Sequence, residues 1–255
     1  MMKQTMYLVT SPQGGTGKST IAVNLAIHYA KQDYKVLLID LAIYGSLPSM
    51  LKIPIRGKGM SSLITALEQN NDLEHFDQFP QYFRESLIPY QDQKNLHLLL
   101  SASPLKMENL SARQTAFLLQ TARKENYNII IIDTSSELCQ RNIASIENAD
   151  FILIPTLQDV TSGWKVILFK EILDNLNISR ENVGLLVNRC TKYSAFNNQE
   201  FQNETGYPIV GEINDLSKII QKFVNMGIPI ENCGKKKAAV PFQKLAEQML
   251  KRVGS

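Results

Sequence analysis

The residues of this chain best suited to chemistry cluster near its start. The stretch Ser11-Pro12-Gln13-Gly14-Gly15-Thr16-Gly17-Lys18-Ser19-Thr20 follows a short apolar run and precedes a helical pattern. A glycine loop between a strand and a helix, closed by Gly-Lys-Ser, suits a bound phosphate. Its glycines let backbone N–H groups turn inward around an anion, at the positive end of the helix dipole. The amides of Gly14, Gly15, Thr16, Gly17, Lys18, Ser19 and Thr20 are the expected phosphate cradle. Lys18 supplies charge for the terminal phosphates, and the Ser19 hydroxyl is placed to ligate Mg²⁺.

Three further polar groups close apolar runs. Leu37-Leu38-Ile39-Asp40 and Ile129-Ile130-Ile131-Ile132-Asp133 each put a carboxylate at a strand tip. There it can hold Mg²⁺ directly or through the ion's water shell. An aspartate that merely caps a turn is the alternative for each; the phosphate loop favours the metal reading, with Ser19 and Asp133 as ligands and Asp40 one water further out. Leu185-Leu186-Val187-Asn188-Arg189 places an amide at a late strand tip. Asn188 could pair with the amino group and ring nitrogen of adenine, while an ordinary turn role stays open.

These groups need a scaffold that brings strand tips together. The apolar runs at 6–10, 35–40, 96–101, 128–133, 151–155 and 184–188 are expected strands, several of them solid aliphatic as in parallel sheets buried on both faces. Helices are expected at 19–31, 61–69, 111–125, 161–175, 215–226 and 241–253, with Ser111 as an N-cap and Pro241 in the first turn of the last one. The segment 70–94 reads as loop with a short helix. Such alternation predicts an α/β fold: a doubly wound, mainly parallel sheet flanked by helices, as one domain over residues 1–255. Ligands bind at the carboxyl ends of the strands in such sheets.

Bulk properties fit that expectation. The 255 residues are 44% hydrophobic with a net charge of +3, enough for a core and too mild to diagnose nucleic acid. No signal-peptide pattern or membrane-length apolar stretch is visible, and the three cysteines are scattered, so a cytoplasmic location is expected. Cys139 has no second cysteine before it for a bridging iron–sulfur cluster and reads as a buried thiol. His28, His75 and His97 lack metal-ligand spacing. The last helix could lie on a membrane surface, but the same spacing suits a packed terminal helix. Lys235-Lys236-Lys237 could touch DNA phosphates or acidic lipid and reads more simply as a solvated loop. The end of the chain holds no tyrosine cluster of the kind bacterial tyrosine kinases carry.

With these residues in place, the chain resembles the ParA/MinD branch of P-loop ATPases, and within it CpaE/TadZ-type pilus-assembly and localisation proteins. That branch's loop, Lys-Gly-Gly-x-Gly-Lys-Ser/Thr, is matched by Gln13 to Ser19, and its Asp-x-Asp by Asp40-Leu41-Ala42. Asn188-Arg189, Gly211-Glu212-Ile213-Asn214-Asp215 and Asn225-Met226-Gly227-Ile228-Pro229 are similar to further family patterns. Asp40 to Gly45 and Asn95 to Pro104 are similar to the subgroup's. The resemblance implies bound ATP or ADP with Mg²⁺, an ATP-dependent homodimer and a protein partner in pilus or secretion machinery. It also implies that Lys18 and Asp40 serve catalysis, with Asn188 and Arg189 at the nucleotide. DNA or a membrane surface is the less favoured partner.

Two departures bear on activity. The resemblance implies a first loop lysine that reaches the partner's phosphates across the dimer, where this chain has Gln13. The second aspartate of Asp-x-Asp, which helps arrange the attacking water, is Ala42. A cation supplied in trans is typically worth about 10³–10⁵ in rate. The expectation is therefore a switch with weak or absent hydrolysis; compensation by Gln13, Lys31 or Lys35 is the alternative, with an active ATPase on DNA or membrane as its consequence.

Overall fold

Runs such as Ile129-Ile130-Ile131-Ile132 have no polar face, and the fold buries both sides of them. In the computed structural model, which describes residues 4–54, 59–70, 72–73, 75–91 and 93–253, the first half comprises β1 (Thr5–Val9), α1 (Lys18–Lys31), β2 (Val36–Asp40), α2 (Leu47–Met50), α3 (Met60–Gln69), α4 (Phe79–Ser86), β3 (Ile88–Pro89), β4 (Leu96–Leu99), α5 (Pro104–Glu108) and α6 (Ala112–Lys124). The second half comprises β5 (Ile129–Asp133), α7 (Gln140–Asn148), β6 (Phe151–Thr156), α8 (Val160–Asn175), β7 (Val183–Cys190), α9 (Asn198–Thr205), β8 (Ile209–Asn214), α10 (Ser217–Asn225) and α11 (Lys236–Val253). The expected bounds at 1–3 and 254–255 lie outside the described residues, as do 71, 74 and 92 of the segment 70–94.

The strands form one sheet in the order β3-β4-β2-β5-β1-β6-β7-β8, parallel throughout except for the short β3. From β1 the order runs outward through β5, β2 and β4 on one side and through β6, β7 and β8 on the other. Successive strand residues face opposite layers. Tyr7, Val9, Leu38, Ile129 and Ile131 pack with α1 and α11, whereas Met6, Leu8, Leu37, Ile39, Ile130 and Ile132 pack into the other layer with residues of α3, α6 and α8. A mainly parallel α/β sheet flanked by helices is what the alternating pattern predicted.

Local chemistry explains several element ends. Ser111 caps α6 in a capping box: its Oγ accepts from Gln114 N at 3.3 Å, and Gln114 Oε1 accepts from Ser111 N at 3.1 Å, an arrangement worth about 1 kcal/mol. The last helix corrects the expectation for Pro241, which lies inside α11 rather than in its first turn. Ala238 and Ala239 are buried against the core, and that packing carries the helix back past the proline. Lys236 and Lys237 are therefore helical rather than loop, although exposed. Phe242, Leu245, Ala246 and Met249 of α11 are fully buried, so this helix is packed against the sheet. Among the described residues no helix is long and apolar enough to cross a membrane.

Candidate functional site

Parallel pairing places the polar tips side by side. Asp40 is the register partner of Asp133, and Asp133 is that of Val9, the last residue of the strand before the glycine loop. The loop itself depends on glycine where the backbone turns left-handed, at Gly15 (φ 76°) and Gly17 (φ 95°). Gly17 is the N-cap of α1, which starts one residue earlier than expected. A side chain at Gly17 would bring its Cβ within 2.6 Å of Asn188 Nδ2. Gly14 and Gly15 are exposed, Ser19 and Thr20 half-buried, and Thr16 and Lys18 buried.

Lys18 is held over the loop by Gln13 O at 3.3 Å and Ser136 Oγ at 2.5 Å. Burial pushes its ammonium below the ordinary lysine value, against the opposing pull of Asp133 and Glu137. Asp133 is fully buried, and neither of its oxygens makes a hydrogen bond. Burial pushes its carboxyl up to about 7, although the nearby Ser19 hydroxyl and Lys18 ammonium favour the charged form. An unpaired buried carboxylate costs several kcal/mol. A divalent cation between Ser19 and Asp133 would remove that cost, so the donors present fit Mg²⁺. Asp40 is differently placed. Its Oδ1 accepts from Ala42 N at 3.1 Å and its Oδ2 from Ser101 Oγ at 3.3 Å. Burial and the neighbouring Asp133 hold its carboxyl well above the usual range.

Asn188 is buried beside the loop rather than free at a strand tip. Its Nδ2 donates to Thr16 O at 2.7 Å and its Oδ1 accepts from Arg189 N at 3.0 Å. Its amide thus already ties β7 to the phosphate loop. Arg189 is exposed, at φ 54°. Both residues line a cleft of ≈ 370 Å³ with Gly17, Ile220, Val224 and Phe242. Its apolar residues offer a surface to a planar base, and Thr20, Ser217 and Gln221 join Asn188 and Arg189 as polar groups in its lining.

Gln13 reaches α8, where its Oε1 and the Ser162 hydroxyl are 3.0 Å apart, and Ser162 Oγ lies 2.9 Å from Asp159 Oδ2. Ala42 adds no polar side chain, and its own N–H binds Asp40. Lys31 and Lys35 are not brought to the site. Lys31 ends α1, about 20 Å from Lys18 at 1.5 Å per residue, and pairs there with Glu231 at 3.8 Å. Lys35 precedes β2, at the end of that strand opposite Asp40. Cys139 is half-buried at the start of α7 rather than buried, and no His/Cys/Asp/Glu group among the described residues is arranged for a metal cluster.

Ser101, Ser136, Ser162, Glu137 and Arg141 are site neighbours that sequence reasoning missed. Ser101 ends an expected strand and Ser136 follows the Asp133 run, which is the only signal either offered. Ser162 and Arg141 have local partners in Asp159 and Glu137, but their links to Gln13, Leu41 and Met107 depend on distant residues.

A strand–loop–helix phosphate cradle facing two strand-tip carboxylates defines a P-loop nucleotide-binding architecture. Residues 7–227 match the family described as CobQ/CobB/MinD/ParA nucleotide binding domain, and the chain belongs to that family. The septum site-determining protein MinD of Thermotoga maritima is 26% identical over 259 residues, covering 96% of this chain and 87% of that protein. The MinD of Pyrococcus horikoshii complexed with Mg-ADP superposes with a TM-score of 0.78 at 20% identity, over 97% of this chain and 96% of that one. A ParA family ATPase from Chlorobium tepidum gives 0.81 at 19%, over 96% and 99%. These structural likenesses are of fold.

Proposed function

We propose that this chain is a cytoplasmic MgATP-dependent switch of the ParA/MinD type with weak or absent hydrolysis. ATP favours a homodimer that recruits or positions a protein partner, in pilus or secretion machinery by the CpaE/TadZ resemblance. Lys18 and the amides of Gly14 to Thr20 hold the phosphates. Asn188 and Arg189 flank the base, and Ser19 and Asp133 hold Mg²⁺ with Asp40 behind them. When bound, the ion would supply positive charge to offset that of the phosphates. The Mg-ADP bound to the P. horikoshii MinD supports this cofactor.

One observation carries the reduced-turnover reading: the loop residue that would cross a dimer is an uncharged glutamine already engaged with Ser162, and Ala42 offers no carboxylate. Gln13→Lys with Ala42→Asp is expected to raise steady-state ATP turnover at least about tenfold. No increase would mean that these two positions do not limit hydrolysis. Light scattering with ADP and with a non-hydrolysable ATP analogue tests the dimer: one mass in both removes nucleotide control of assembly.

The retained Lys18, Ser19, Asp40 and Asp133 favour a second reading, an active ParA/MinD-type ATPase working on DNA or a membrane. Clear turnover by the native chain, stimulated by DNA or anionic vesicles, selects it over the first.

A further inference from the structure

We propose that the buried Arg141 is a positioning residue that couples the nucleotide site to α5 through Glu137, an inference that rests on the nucleotide-binding reading above. Arg141 lies in the first turn of α7 with its side chain 2% exposed. Its Nε donates to Leu41 O at 3.3 Å, its Nη1 to Met107 O at 2.8 Å and its Nη2 to Glu137 Oε1 at 3.0 Å. Leu41 directly follows Asp40, Met107 lies on α5 after β4, and Glu137 is in the loop after Asp133. These segments leave three neighbouring strands, β2, β4 and β5. One guanidinium therefore joins three segments at the edge where the carboxylates sit. A planar fork with donors on three separate nitrogens can do this, whereas an ammonium carries its three donors on one atom and does not span acceptors set around the fork.

The same loop is tied to the phosphate site from its other side. Ser135 Oγ also donates to Glu137 Oε1. The adjacent Ser136 accepts from Lys18 at 2.5 Å. Asn142 Nδ2 donates to Ser135 O at 3.2 Å and Glu137 O at 2.6 Å, which pins the loop backbone to α7. A phosphate in the cradle competes with Ser136 for the Lys18 ammonium, because a bond between two opposite charges outweighs one from the same ammonium to a neutral hydroxyl. Filling the site thus alters one restraint on the loop 134–139. The guanidinium passes the change on: a buried charged donor left unpaired is costly, so Leu41, Met107, Glu137 and the Glu108 carboxylate of α5, 3.8 Å from Nη1, move with it rather than away from it.

Hydrogen–deuterium exchange of the full chain, with and without saturating MgADP, tests this, alongside calorimetry with the same MgADP. The native protein is expected to change exchange in both 134–139 and 104–108. Glu137→Ala, at a partly exposed side chain, is expected to keep the response in 134–139 and to reduce that in 104–108 roughly threefold or more. Glu137→Gln keeps an acceptor for Arg141 and is expected to restore part of it. Arg141→Lys should behave like Glu137→Ala; if it does not fold, the Glu137 pair decides. MgADP heat without any change at 104–108 in the native chain overturns the coupling, as does a native-like response there in Glu137→Ala. No MgADP heat at all overturns the nucleotide reading itself, and the coupling with it.

Discussion

Asp133→Asn separates the charge at the site from its shape. The carboxyl moves from 3.8 in the unfolded chain to about 7 in the metal-free fold because its complete burial outweighs the opposing pull of the Ser19 hydroxyl and the Lys18 ammonium. The folded state therefore binds the proton more tightly. Stability from this group is complete below about pH 4, falls as the pH rises to about 7, and is flat above that. The ionised form costs on the order of 4 kcal/mol at the alkaline end. Asparagine removes the charge but leaves a buried amide, a cost of about 1–3 kcal/mol. Near pH 8 the metal-free variant should therefore be more stable than the native chain by about 1–3 kcal/mol, or about 2–4 °C in Tm per kcal/mol. Near pH 4.5 the advantage should vanish or reverse. Adding MgADP should invert the order near pH 8, since ligand at a hundred times its Kd contributes about 2.7 kcal/mol to a protein that can bind it. Thermal unfolding followed by circular dichroism at both pH values, with and without MgADP, reads all four states. A metal-free variant less stable than the native chain near pH 8, or an undiminished MgADP gain in the variant, would refute Asp133 as an unpaired charge awaiting a cation.

Two other substitutions probe the support of the site. The Cβ of Gly45→Ala would overlap Ser101 Oγ and stand 2.5 Å from Asp40 Oδ2, so urea unfolding should show a loss of about 1–3 kcal/mol. Asn188→Ala removes the 2.7 Å bond to Thr16 O; it should cost about 1 kcal/mol of stability and weaken ADP more than inorganic pyrophosphate in competition binding.

Strand-forming runs were legible because solid aliphatic sequence has few alternatives to a buried parallel strand. The phosphate loop was equally legible, since glycines, lysine and hydroxyl act locally. The elements missed show where pattern reading ends. β8 is an edge strand that buries only Val210 and Ile213, with Gly211 and Glu212 between them, so its apolar signal is diluted. The start of α9 did carry a signal, the Asn197–Glu200 capping box, whose bonds are 2.9 Å and 3.0 Å. α7 had none, because it buries Arg141, Asn142 and Ser145 as well as Ala144 and Ile146, and buried polar residues read as solvent-facing. Pro241 misled for a related reason: burial of Ala238 and Ala239 outweighs the one backbone bond a proline removes.

The sequence by itself determined the class of fold, the glycine loop between β1 and α1 and the identity of the two strand-tip carboxylates, because each rests on neighbours within a few residues. Only the tertiary structure decided what those groups face. The strand order sets Asp40 beside Asp133 and leaves Asp133 without a partner while Ser101 and Ala42 satisfy Asp40. It also turns Asn188 onto Thr16, Gln13 onto Ser162 and Arg141 onto Leu41 and Met107. Apart from the bond between Ala42 and Asp40, these are contacts between residues far apart in the chain, fixed by sheet register and burial. No local spacing encodes them.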